Sequence, residues 1–145
     1  MHASAVVLGD RGVLISGPSG SGKTGLALAL IAHARASGVF SRLIGDDQLY
    51  LTAHHGRLLC AVPSPIAGLA ELRGLGPRAL AFEPKAAVDL HVRLVEPSEA
   101  PRFPDAETEI IAGCEIRVLS LAAGDRQAAV LAVAACLCLP PFDRP

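Results

Sequence analysis

The chain has no tryptophan, one tyrosine, four phenylalanines and one methionine, although 51% of its residues are hydrophobic. Its core must therefore be assembled from Ala, Val, Leu and Ile. It also lacks an excess of either charge: the net charge is −1, and Lys and Arg are dispersed along the chain. That gives no electrostatic footprint for a nucleic-acid partner. Long apolar runs are missing too. The longest, Ala128 to Leu139, has 12 residues, short of the roughly 20 a membrane span needs, so it reads as a buried helix. Met1-His2-Ala3-Ser4 carries no basic n-region, and the first apolar stretch is interrupted by Gly9-Asp10-Arg11-Gly12. No signal peptide is expected, and a soluble cytoplasmic protein is the default. Cys60, Cys114, Cys136 and Cys138 form no C-x-x-C pair and lie in apolar surroundings. They read as small buried hydrophobes and not as metal or redox ligands. His54-His55 is no better a metal pair, because neighbouring strand residues point to opposite faces. With 145 residues, one domain spanning 1–145 is expected.

What the chain does have is concentrated. Gly17-Pro18-Ser19-Gly20-Ser21-Gly22-Lys23-Thr24 is a complete G-x-x-x-x-G-K-[ST] phosphate-binding loop. Gly12 to Ser16 before it reads as a buried strand, and Leu26 to Ala32 after it as a helix. Glycines let successive N–H groups turn toward one anion, and the new helix adds the positive end of its dipole. Lys23 would reach the β- and γ-phosphates, and the Thr24 hydroxyl would hold Mg²⁺. A glycine-rich turn that binds nothing is the alternative, disfavoured by the placement between strand and helix.

Elsewhere the pattern is mostly strand. Val6 to Leu8 and Val13 to Ile15 form a hairpin around Gly9–Gly12. The helix from about Gly22 stops near Ser37, at Gly38. Arg42 to Gly45 is a short strand ending on Asp46-Asp47; Gln48 to Thr52 and Leu58 to Val62 are two more around His54-His55-Gly56. The three glycines between Ile66 and Gly76 suggest a structured loop and not a regular element. From Ala86 to Val95, Val88, Leu90, Val92 and Leu94 share one strand face, and Asp89, His91 and Arg93 the other. Glu96 to Asp105 is an exposed loop, Glu109 to Val118 a strand or hairpin, and Arg126 to Leu139 an Ala-rich closing helix.

Three features narrow the phosphate loop. Asp46-Asp47 ends a strand that follows the phosphate-loop helix, which sets carboxylates in the crevice beside the phosphates. There they can bind Mg²⁺ or accept a proton from an attacking hydroxyl. Glu71-Leu72-Arg73-Gly74-Leu75-Gly76 puts an acid and a base on one glycine-rich segment, and His2 stands at the start of the hairpin. Each alone is weak: a solvated turn, a surface ion pair, an exposed terminal residue. Together, and in this order, they resemble one family, the HPr kinase/phosphorylases in their short form with the catalytic domain only. Met1-His2, Gly12 to Gly17 leading into Ser19 to Thr24, Leu43-Ile44-Gly45-Asp46-Asp47, Leu69 to Gly76, and Arg102 with Glu107-Thr108-Glu109 carry the resemblance. The E-x-R-G-L-G segment is its most specific part.

The resemblance implies an α/β fold, a single P-loop-containing domain with a phosphoenolpyruvate-carboxykinase-like core of mixed sheet and few helices. It implies an enzyme that phosphorylates a serine of HPr, the phosphocarrier of the sugar phosphotransferase system, using ATP and Mg²⁺. Phosphorolysis of the phosphoserine by inorganic phosphate, giving pyrophosphate, would be its counterpart. Gly17, Pro18, Ser19, Gly20, Ser21, Gly22, Lys23 and Thr24 would hold the phosphates. Thr24 and Glu71 would ligate Mg²⁺, with Asp47 supporting the metal. Asp46 would be the base, His2 would tune or relay to it, and Arg73 and Arg102 would stabilise the transferring phosphate. A homo-oligomer, hexameric in the family, is implied as well.

The chain departs from that pattern in several places. The N-terminal domain of longer members is not seen before His2. His33 to Gly38 looks like an insertion, and the stretch after Gly76 is shorter than usual. The family's P-V-R-P-G-R-N turn is here Leu121-Ala122-Ala123-Gly124-Asp125-Arg126, with one arginine gone and the other displaced by one. The final C-terminal helix, which serves substrate docking and hexamer formation, is not expected. Two other functions stay open: a phosphate-loop kinase for a small metabolite, and a nucleotide-sensing regulator without efficient turnover.

Overall fold

In a computed structural model describing residues 1–103 and 105–144, the chain folds as a mixed α/β structure with two α-helices among the described residues. Its strands are β1 (Ser4–Leu8), β2 (Arg11–Ser16), β3 (Ser41–Gly45), β4 (Tyr50–His54), β5 (Arg57–Ala61), β6 (Leu69–Leu72), β7 (Gly76–Ala79), β8 (Lys85–Val95), β9 (Glu107–Ile111) and β10 (Cys114–Ala122). Helix α1 spans Lys23–Ala36 and α2 spans Arg126–Cys136. The main sheet runs β3-β1-β2-β8-β10-β9, with β5 also pairing β8 and β4 pairing β5. β2 and β10 lie parallel to β8, and the other pairs are antiparallel. β3 therefore runs the same way as β2, so the carboxyl ends of β2, β3, β8 and β10 share one edge. That edge is where an open α/β sheet leaves a crevice for a ligand.

Two apolar layers hold the sheet. On one face Val6, Leu8, Val13, Ile15, Leu90, Val92 and Leu94 pack with Leu26, Leu30 and Ile31 of α1 and with Val130 and Val133 of α2. On the other, Ala5, Val7, Leu14, Val88 and Ile116 pack with Leu49, Leu58, Cys60 and Val62. Aliphatic side chains fill both, as the scarcity of aromatics requires; burying each Leu or Ile contributes about 1.5–3 kcal/mol.

The sheet also explains where the sequence reading slipped. Val88 does not share a face with Leu90, Val92 and Leu94. The β2–β8 register shifts between Gly12 and Val13, which pair with Val88 and Leu90. Asp89 is the extra residue of that bulge, and a bulge reverses which face each side carries. Its Oδ2 accepts from the Gly12 amide at 2.9 Å, and its Oδ1 from Arg57 at 2.9 Å. Gly12 is required there, because a Cβ would sit 1.9 Å from the Ala87 carbonyl oxygen. Gly12→Ala is therefore expected to destabilise the fold by about 3 kcal/mol, read as a fall in the urea midpoint at unchanged m-value; a shift of under about 0.5 kcal/mol would refute the close approach.

Ile66 to Gly76 is more regular than expected. Leu69–Leu72 and Gly76–Ala79 pair as a two-stranded hairpin, because the glycines fall at its turn and ends and leave the residues between free to extend: Gly74 and Gly76 have φ of 87° and 81°. Helix α2 stops at Cys136, three residues before the expected Leu139, and Cys138 adopts φ 54°. Cys60 and Cys114 are buried as expected, but Cys136 is half-buried and Cys138 exposed. Burial pushes the Cys60 thiol up to about 12. His54 ends β4 and His55 takes φ 50° in the turn, so their rings meet edge-on at 4.2 Å instead of facing apart.

Candidate active site

The phosphate loop leaves β2 at Ser16 and enters α1 through Gly22, whose φ is 96°. No side chain caps α1, and its first turn holds no acid, so the amides there remain open to an anion. Lys23 is 8% exposed, and its Nζ donates to the Gly17 and Pro18 carbonyls at 2.8 and 3.1 Å. The Ser21 hydroxyl is buried in the same loop with no partner among the described residues. An orphaned polar atom, a folded-back lysine and an uncapped helix start are what a phosphate group would satisfy.

The loop opens into a cleft of about 1210 Å³. His2, Ser19 to Thr24, Asp46, Asp47, Glu71 and Arg73 line it, so the expected site residues meet there with three exceptions, Gly17, Pro18 and Arg102. Gly17 and Pro18 form the loop behind Lys23. Arg102 lies elsewhere, exposed, with its guanidinium 5.7 Å from the Phe103 ring centre.

The two aspartates have opposite surroundings. Asp46 is 6% exposed; its Oδ1 accepts from the Ser4 hydroxyl at 2.5 Å, and the Thr24 hydroxyl lies 2.9 and 3.0 Å from its two oxygens. The Glu71 amide donates to Oδ2 at 3.2 Å, which ties the β6–β7 hairpin to the phosphate loop. Asp47 takes φ 83°, which turns the chain so that its carboxylate faces out, 3.0 Å from His2 Nδ1. His2 thus touches Asp47 and not Asp46, its expected partner. Thr24, Asp47 and Glu71 line the cleft as hard oxygen donors suited to Mg²⁺. No three His, Cys, Asp or Glu side chains converge on one metal position among the described residues; Mg²⁺ arriving with phosphates needs only one or two protein groups.

A family model, HPr Serine kinase C-terminal domain, matches residues 1–136. The chain belongs to this family. An HPr kinase/phosphorylase of Mycoplasma mycoides is 37% identical over 75 residues, 52% of this chain and 22% of that protein. One from Clostridium tetani is 36% identical over 76 residues, 52% of this chain and 23% of the relative. The matched segment thus spans less than a quarter of the length of these curated relatives. The Hpr(Ser) kinase/phosphatase from Coxiella burnetii, a solved structure, superimposes with a TM-score of 0.80 at 27% identity, covering 94% of this chain and 95% of that one.

Sequence reasoning missed Ser4, which holds Asp46, and the role of Arg126, which lines the cleft from the start of α2. It also missed a chain of polar contacts on the helix-free face. Ser16 Oγ lies 2.6 Å from His91 Nε2, His91 Nδ1 meets Glu109 Oε1, and Arg93 donates to Glu109 Oε2 at 2.7 Å. A carboxylate only accepts, so Nδ1 carries the ring proton. Alternating positions on β8 and β9 were the available signal, but nothing in the sequence pairs those two strands with Ser16.

Burial pushes the Glu109 carboxyl up, but hydrogen bonds from His91 and Arg93 outweigh it and hold the group below its usual value of 4.5. A depressed folded-state value means that the ionised form favours folding above the unfolded value, and that this contribution is lost as pH falls through the folded one. Stability should therefore drop below about pH 4.5 in the wild type and less steeply in Glu109→Gln. Denaturant midpoints taken between pH 3 and 7 check this, and parallel acid limbs in the two proteins would contradict it.

Proposed function

We propose that this chain transfers the γ-phosphoryl group of ATP to a serine hydroxyl of HPr or an HPr-like phosphocarrier, in a cytoplasmic setting. Phosphorolysis of the phosphoserine by inorganic phosphate, yielding unmodified HPr and pyrophosphate, is its counterpart. Family membership supports the reaction class, and one observation carries the mechanism: Asp46 lies in the cleft beside the phosphate loop and already accepts hydrogen bonds from two hydroxyl groups. A serine hydroxyl is the same functional group.

On this reading the loop amides and Lys23 hold the phosphates, and Arg73 offsets charge on the transferring group. Thr24, Asp47 and Glu71 hold Mg²⁺, which when bound would neutralise phosphate charge. Asp46, screened from bulk water, takes the serine proton in the kinase direction and returns it in phosphorolysis. His2 orients Asp47. Arg102 does not line the cleft and is given no role in this reading.

The experiment is direct. HPr, labelled ATP and Mg²⁺ are incubated with the chain, and phosphoserine formation is followed, then its loss on adding inorganic phosphate. Label on HPr that phosphate releases as pyrophosphate supports both directions. ATP bound without label on HPr would sink the kinase reading and leave a nucleotide sensor in its place.

A further inference from the structure

We infer that Arg126 is a nucleotide-specific cation of the cleft, acting on the nucleoside-proximal phosphate; the inference rests on the ATP-binding part of the reading above. Arg126 opens α2, and the neighbouring Asp125 fixes that start by accepting from the Ala128 amide at 3.1 Å. Its guanidinium lies against Gly25 in the first turn of α1. A Cβ on Gly25 would come within 2.2 Å of an Arg126 terminal nitrogen and 2.6 Å of the guanidinium carbon. The two helices thus meet with an arginine at the one first-turn position that has no side chain to exclude it. Arg126 is exposed and lines the cleft, and no ion pair or hydrogen bond of its side chain is found among the described residues. Lys23, by contrast, is tied to loop carbonyls.

Position along the helix sets the specificity. In a phosphate loop the lysine serves the β- and γ-phosphates while amides at the helix start cradle the α- and β-phosphates. Gly25 lies two residues beyond Lys23, at the end of the anion path nearer the nucleoside. Leu28, Ala29 and Ala129 continue the cleft lining as an apolar surface fit for a base. A guanidinium fork there pairs with a phosphate's oxygens, a geometry a lysine would not reproduce. Arg126 lines the cleft, and Arg102 does not.

Calorimetric titration of the full chain with ATP, ADP and pyrophosphate, each with Mg²⁺, tests this without any turnover. Arg126→Ala should weaken ATP and ADP about tenfold and change pyrophosphate affinity less than about twofold. Gly25→Ala, which displaces the guanidinium while keeping its charge, should weaken the nucleotides similarly, and the double variant should lose no more than either single one. Unchanged nucleotide affinity in Arg126→Ala would overturn the assignment. An equal loss for pyrophosphate would do so too, since it would move the arginine to the other end of the phosphates. A wild-type chain that binds pyrophosphate but neither nucleotide would instead overturn the ATP reading, and this inference with it.

Discussion

Lys23→Ala should lower phosphoryl transfer to HPr by about a thousandfold, the scale on which a single preorganised electrostatic group acts on a developing charge. The lysine is buried and folded onto the Gly17 and Pro18 carbonyls, so its ammonium is desolvated and aimed along the loop without a ligand. A phosphate arriving there meets a charge whose position costs little to set. The alanine variant loses that charge and leaves two loop carbonyls without their donor, so nucleotide affinity should fall alongside turnover. Steady-state transfer and calorimetric titration with ATP read the two effects separately, and a thermal melt monitors the fold. ATP affinity equal to wild type would remove Lys23 from the phosphate site.

Asp46→Asn should cut transfer by about a hundredfold to ten-thousandfold, the range for a positioned general base, while changing ATP affinity little. The substitution keeps the side chain's shape, yet one of its two acceptors becomes a donor facing the Ser4 and Thr24 hydroxyls. Asp47→Asn is the comparison. Asp47 is exposed, paired with His2, and assigned to metal support; its variant should lose activity that higher Mg²⁺ partly restores. Magnesium does not restore a missing proton acceptor, so the Asp46 variant should stay inactive across the same titration. If the Asp46 variant is fully active and the Asp47 variant is dead at any Mg²⁺, the two aspartates exchange roles.

Local sequence carried much of this and failed where distant strands decide. The phosphate loop, its flanking strand and helix, and the Asp46-Asp47 turn were legible because each depends on neighbours in the chain. The β8 alternation misplaced Val88, because the bulge at Asp89 is set by the pairing with Gly12, 77 residues away. The pairing of His2 with Asp47 depends on the left-handed turn at Asp47, a conformation most residues avoid and no composition rule announces. Arg126 was visible as a displaced arginine, but its approach to Gly25 needed the packing of α2 on α1.

The strand feeding the phosphate loop is pinned at both ends to the same neighbour: Gly12 to Asp89 by a 2.9 Å hydrogen bond, and Ser16 to His91 at 2.6 Å. β2 is therefore a rigid mount. Beyond the loop, the Thr24–Asp46–Glu71 contacts join it to the β6–β7 hairpin. A phosphate bound on the loop is thereby in hydrogen-bonded continuity with the segment that carries Glu71 and Arg73, both exposed and lining the cleft.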